Sequence, residues 1–356
     1  MDPVDRSLFV HRIQSICAEM GATLRHSALS PNIRDRLDFS CAVFDAGGGL
    51  CAQAAHIPVH LGSMAFAMRD IVDRFKWQDG DMIILNDPFL GGTHLPDVTL
   101  IAPVFSTARL AGFVANRAHF ADIGGATPGS MPLARRLEEE GMVIAPTLLV
   151  RDFNPVDQVL AGILSGMRSP QSARADLMAQ ISANRRGALH LQALIDSMGA
   201  SEYQDALIEL DEYGERLSRA GLESIPDGEY AFQDYMDDDG MGLESIPIRV
   251  RLQVRSGQIQ VDFTGTADQV DGNINCPLSV AAAAVYYCLY CLMPPETPAC
   301  AGTFRRITLC APDRCLVNAS PPAAVAAGNV ETSSRIVDAI LGALAPVLPD
   351  RVPAAA

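Results

Sequence analysis

Lysine is almost missing from this chain: of its 27 basic residues only Lys76 is a lysine. A phosphate-binding P-loop needs a lysine straight after a glycine-rich turn. Lys76 stands in "DRFKWQDG", which is no such turn, so any nucleotide chemistry calls for a second polypeptide. Positive charge is scarce altogether. With 42 acidic residues the formal net charge is -15, and such a surface repels nucleic acid and anionic membranes.

Long apolar runs are absent too. The longest, "VAAAAVYYCLYCLM" from Val280 to Met293, falls short of the about 20 residues that cross a bilayer and reads as a buried helix. The start, "MDPVDRSLF", has no basic stretch leading into an apolar core, so no secretory signal is evident, and a cytoplasmic protein is expected. Nine cysteines, an odd number scattered among apolar neighbours, suit reduced thiols rather than a disulfide framework. Cys288 and Cys291 form a CxxC, but no second pair stands at zinc-finger spacing, so packing is the better reading. No G-x-S-x-G elbow occurs, and "LGSMAF" around Ser63 lacks the second glycine.

What is present is a chain of 356 residues, 49% hydrophobic, able to bury a sizeable core. Leu8, Ile13, Ile16, Cys17, Met20 and Leu24 recur at helical spacing. Two short strands flank the turn Asp45 to Gly49, and a helix begins at Ser63, read as its N-cap. The strands "DMIILND", "VTLIAPVF" and "RLAGFVANRAHF" come next. From Pro170 to about Ile225 two long amphipathic helices form an antiparallel pair. A hairpin closed at Ser256 and Gly257, a helix over 279–293, a strand at "RRITLC" and a last helix from Glu331 complete the pattern. The acidic run Asp237 to Asp239 fits no calcium loop and reads as a solvated turn. The fold class expected is α+β, with mixed or antiparallel sheets and hairpins around a site, plus a long helical hairpin. Three regions follow: 1–165, a helical hairpin insertion over 166–225, and a second α+β region over 226–356.

The stretch "NDPFLGGTHLPDVTLIAPVF" sets His94 and Asp97 at a strand entrance. A hairpin turning near Thr107 would pair Asp97 with Arg117 and Leu95 with His119, bringing His94, Asp97 and His119 to one open end of the ladder. Two imidazoles and a carboxylate form a recurrent site for a divalent transition metal; manganese, iron and zinc all suit that donor set. The bland alternative is a pair of hydrogen-bonded histidines near strand ends. Gly91 and Gly92 favour the site because glycine lets backbone approach a ligand closely. Asp122, three residues past His119, is a candidate to orient an imidazole. His56 and His60 are spaced by four, but Pro58 between them argues against a helical zinc pair, leaving pocket-lining or ordinary loop roles.

At these residues the sequence resembles the hydantoinase B/oxoprolinase family. The resemblance rests on "HIPVHLGSM", "NDPFLGGTHLPDVTLIAPVF", "NRAHFADIGG", "LEEEGMVIAP", "DFTGTADQVDGNINCP" and "PPAAVAAGNVETSSRIVDAILGALA", in order and spacing. It implies a subunit that works, in a hetero-oligomer, with a hydantoinase A-type partner that binds ATP and phosphorylates a small cyclic amide. A metal site made of an H-x-x-D pair and a distant histidine is implied at His94, Asp97 and His119, with Asp87 and Asp122 as proton-transfer or supporting residues and His56, His60, Gly91 and Gly92 near the substrate. The related ketone carboxylases supply an alternative activity, and a non-catalytic scaffold for the A-type subunit a third. The resemblance implies a pattern that continues past "DRVPAAA" into a glycine- and asparagine-rich segment.

Overall fold

The computed structural model describes residues 2–55, 57–127, 129 and 131–352, with the backbone alone for Ala55; His56 lies outside the described residues. Helix α1 (Pro3–Ser27) opens on Asp2, whose carboxylate accepts the amides of Val4 and Asp5. Phe9, Ile13, Ile16, Cys17, Met20 and Leu24 make its buried face, whereas Leu8, expected on that face, is exposed. After α2 (Pro31–Arg34), β1 (Phe39–Asp45) and β2 (Leu50–Ala55) form the expected hairpin. The Asp45 carboxylate accepts the amides of Gly47 and Gly49, so this glycine-rich turn is closed upon itself.

Helix α3 (Ser63–Ile71) corrects one expectation. Gly62, left-handed at φ 76°, occupies the cap position, and the Ser63 hydroxyl is instead an acceptor for a buried arginine, Arg117. Strands β3 (Met82–Leu85), β4 (Asp97–Ser106) and β5 (Arg109–His119) follow, then α4 (Leu137–Glu140), β6 (Thr147–Arg151), β7 (Asn154–Pro155) and α5 (Asp157–Ser165). The long helices are α6 (Pro170–Met198) and α7 (Ala200–Leu222). The chain then makes β8 (Gly228–Asp238), β9 (Glu244–Arg255), β10 (Gln258–Asp262), α8 (Leu278–Tyr290), α9 (Ala301–Phe304), β11 (Ile307–Cys310) and α10 (Ser333–Leu344).

Seven strands form an antiparallel sheet in the order β2-β1-β5-β4-β3-β6-β7; four form a second, β11-β10-β9-β8, in which only β10 and β11 run parallel. Alternate residues of a strand face opposite sides of its sheet. Cys41, Val43, Leu100 and Ala102 therefore join one core, shared with α1 and α6. Ala42, Phe44, Ile101 and Phe113 join the other, shared with α3, α8, α10 and the second sheet. Cover on both faces is why β4 reads as a continuous apolar run rather than an alternating one.

Helix α6 is tied to the first sheet by a buried polar seam. Gln180 donates to the Val98 carbonyl (2.9 Å), Asn184 to the Leu100 carbonyl (3.1 Å), and Asn116 to the Asn184 side chain (2.8 Å). The hairpin β9–β10 turns at Ser256 and Gly257 as expected, both at positive φ. Among the described residues no helix is long and apolar enough to cross a membrane. None of the nine cysteines forms a disulfide; Cys288 is buried on α8 while Cys291 is exposed, and the two take part in no cluster of donor side chains among the described residues.

Candidate metal centre

The pairing of β4 with β5 differs from expectation by two positions. Asp97 lies opposite His119, and Thr99 opposite Arg117. Two local features cause the shift. The turn is Thr107–Ala108, at φ 49° and 63°, which pairs Ser106 with Arg109. A bulge between Val104 and Phe105 then leaves Ala111 without an opposite residue. The corrected register seats His119 directly across from Asp97 instead of across from Leu95.

Three donor atoms consequently face one another. Asp97 Oδ1 is 3.2 Å from His94 Nε2 and 3.0 Å from His119 Nδ1, and the two ring nitrogens are 3.1 Å apart. Ligands about 2.1 Å from a single ion in octahedral geometry stand about 3.0 Å from their neighbours. The triangle matches one face of such a shell, and its N,N,O composition suits manganese, iron or zinc. His94 and Asp97 are buried, whereas the side chains of His119 and Asp38 remain 13% and 15% exposed and mark the open side.

The surroundings give each donor a defined role. His94 Nδ1 meets the Ala326 carbonyl at 3.3 Å; a carbonyl only accepts, so Nδ1 carries a proton and Nε2 is the ring atom turned toward Asp97 and His119. The outer oxygen of Asp97, Oδ2, accepts from the Thr93 hydroxyl in a short hydrogen bond and faces His60 Nε2 at 3.3 Å. His60 is fully buried, and its Nδ1 lies 2.9 Å from Ser40 Oγ. Asp38, His60 and Asp97 form a second convergent set, with Asp38 Oδ2 3.9 Å from His119 Nδ1. Burial alone would raise the Asp97 carboxyl, but the charge of His94 and the hydrogen bonds from His119, His60 and His94 hold it well below the usual carboxylate range. Burial would lower His119, and the bond to Asp97 with that carboxylate's charge raises it.

The remaining candidates lie elsewhere or serve the backbone. Asp122 pairs with Arg168 at 2.9 Å and accepts the Gly124 amide; those bonds pull its carboxyl down against burial, and it orients no imidazole. Asp87 caps the short turn Pro88–Leu90 by accepting the Phe89 amide, and burial raises its carboxyl. Gly91 is left-handed, and a Cβ there would lie 2.2 Å from the Ala67 nitrogen; at Gly92 one would lie 2.6 Å from the Asp87 carbonyl oxygen. Close packing thus accounts for both glycines. The Gly91 carbonyl is one of three acceptors of Arg117, with Thr99 Oγ1 and Ser63 Oγ.

Sequence reasoning missed Asp38, Thr93 and Asn86. Asn86 fastens the 93–97 loop, donating to Leu95 and Met142 carbonyls and accepting the Ile144 amide at 2.6 Å. Asp38 carried a faint signal as the carboxylate just ahead of β1, but only the pairing of Phe39 with Ala118 brings it beside His119.

The hydantoinase B/oxoprolinase family model matches residues 2–356. An uncharacterised protein of Methanocaldococcus jannaschii is 40% identical over 100% of this chain and 63% of its own length. The 5-oxoprolinase 1 of Arabidopsis thaliana is 37% identical over 96% of the chain, which spans 29% of that protein. In structure, the ATP-dependent caprolactamase of Pseudomonas jessenii superposes with a TM-score of 0.92 at 29% identity, over 99% of this chain and 61% of that one. With a family match across nearly every residue, this chain belongs to the hydantoinase B/oxoprolinase family.

Proposed function

We propose that this chain is the metal-containing B-type part of an ATP-dependent cyclic amidohydrolase. Its substrate is a lactam ring of the hydantoin or 5-oxoproline type, activated by phosphorylation in an A-type partner subunit. The convergence of His94 Nε2, Asp97 Oδ1 and His119 Nδ1 carries this reading. It is supported by the names of two relatives, a 5-oxoprolinase and an ATP-dependent caprolactamase, both of which refer to cyclic amides. Because the only lysine stands outside any glycine-rich turn, ATP is assigned to the partner and the working enzyme to a hetero-oligomer.

His94, Asp97 and His119 would hold a divalent ion, manganese, zinc or iron. When bound, such an ion supplies Lewis acidity toward a substrate oxygen or a water. The chain's own residues keep the donors aimed. Thr93 and His60 occupy Asp97 Oδ2 and leave Oδ1 to the cluster, while the Ala326 carbonyl holds the His94 proton on Nδ1. Asp38 Oδ2, on the open side beside His119, is the group placed to add an oxygen donor or to take up a proton there.

The test is co-production with an A-type subunit, an assay of ATP-dependent opening of 5-oxoproline and hydantoin, and metal analysis of the same sample. Ring opening that disappears together with the metal in His94→Ala and His119→Ala is the expected result. Activity retained in either variant would overturn the assignment, and a bicarbonate-dependent carboxylated product would move the chain to the ketone carboxylase side of the family.

A further inference from the structure

Glu140 is fully buried, and neither the fold nor the chemistry above has used it. It ends α4, in the "LEEEG" stretch, and faces a segment nearly two hundred residues further along the chain. Its Oε1 accepts the amides of Val325 (2.8 Å) and Ala326 (2.9 Å). Among the described residues its Oε2 has no hydrogen-bond partner. The same two stretches meet twice more, through the Leu137 amide on the Pro322 carbonyl (3.0 Å) and the bridge between Arg136 and Ala323. Ala326 is the residue whose carbonyl receives the His94 Nδ1 proton.

We infer that Glu140 is a positioning residue for the metal centre: by gripping the Val325 and Ala326 amides it aims the Ala326 carbonyl at His94 and so fixes the ring that presents Nε2. This rests on the metal-centre reading and goes beyond it. Both amides converge on one oxygen, which anchors the Ala326 nitrogen; the peptide that carries the Ala326 carbonyl is held on its other side, where the Ala327 amide donates to the Asn273 carbonyl (3.0 Å), so loss of Glu140 frees one of the two anchors of that carbonyl. Partners that orient a ligating histidine typically change metal affinity 10- to 100-fold when removed. Glu140 acts one step further out, through backbone, which sets the expected effect near the lower end.

Cobalt(II) titrated into the chelator-stripped full-length chain, followed by its visible absorption, tests this. Glu140→Leu, which fills the space without an acceptor, is expected to weaken binding about ten-fold and alter the cobalt spectrum. Glu140→Gln, whose amide oxygen can accept both N–H groups, should stay within about three-fold of the parent. Val254→Ala, a truncation in the other core, on a strand of the second sheet that carries no site residue, controls for general loosening and should leave affinity unchanged. Affinity unchanged in Glu140→Leu, or weakened equally in Val254→Ala, overturns the inference. Where Glu140→Leu fails to fold, Glu140→Asp is read instead, since its shorter carboxylate cannot reach both amides; unchanged affinity there overturns the inference as well. A parent chain that binds no cobalt would sink the metal-centre reading itself, an outcome distinct from parent and variants binding alike.

Discussion

Two stretches of this chain gather side chains of the kind that hold cations: His94 to His119, and the acidic turn Asp237 to Asp239. In the turn, Asp238 accepts the Gly240 amide and Asp239 accepts those of Met241 and Leu243. The carboxylates are consumed by their own backbone, and those bonds pull Asp239 down against burial. In the strand-end cluster the donor atoms point at one another, and the backbone carbonyl of Ala326 takes the far side of His94. The difference shows that acidity is a poor guide to a cation site. What matters is whether lone pairs are left over after the local hydrogen bonds are made.

The contrast can be broken most forcefully at Asp97. Asp97→Ala strips four neighbouring groups of their shared acceptor; loss of bound metal and of turnover in the assembled complex is expected, with about 3 kcal/mol or more of stability lost in denaturant unfolding. Retained metal stoichiometry would erase the distinction between the two stretches. Next comes Arg117, whose guanidinium burial brings down to about 10 although the Asp97 charge opposes it. Arg117→Met leaves the Gly91 carbonyl and two hydroxyls without their donor and is expected to cost roughly 2 to 4 kcal/mol, seen as a lowered unfolding midpoint.

A smaller effect concerns Glu140. Desolvation lifts its carboxyl to about 7 from an ordinary 4.5, with the Glu139 charge adding to the rise and the two amide bonds opposing it. A raised carboxyl means that the folded chain holds the proton more tightly than the unfolded one. Its stabilisation is complete below pH 4.5 and is lost as pH climbs through about 7. Thermal unfolding of metal-free protein from pH 5 to pH 8 should therefore fall more steeply for the parent than for Glu140→Gln; parallel curves would contradict this. The smallest change belongs to the acidic turn, where Asp239→Ala is expected to lose about 1 kcal/mol from its two side-chain bonds and no metal. Reduced metal content in that variant would reopen the turn as a site.

Most elements were legible because their patterns are local. Helical spacing from Ile13 to Leu24, the glycine turns and the continuous apolar run of β4 each report burial directly. The register of β4 against β5 was not legible, since two non-glycine residues adopt positive φ at Thr107 and Ala108 and Ala111 bulges, and neither has a strong side-chain signature.

The sequence by itself determined the donor types, their order along the chain and the family. It also shows no P-loop motif, since Lys76, the one lysine, stands outside any glycine-rich turn. Only the tertiary structure decided that His119 stands across from Asp97, that Asp38 and His60 join them, that Asp122 turns away to Arg168, and that Glu140 reaches the Ala326 amide. These are contacts between residues far apart in the chain, set by strand pairing and by how two cores close on one sheet. No short window of sequence contains that information.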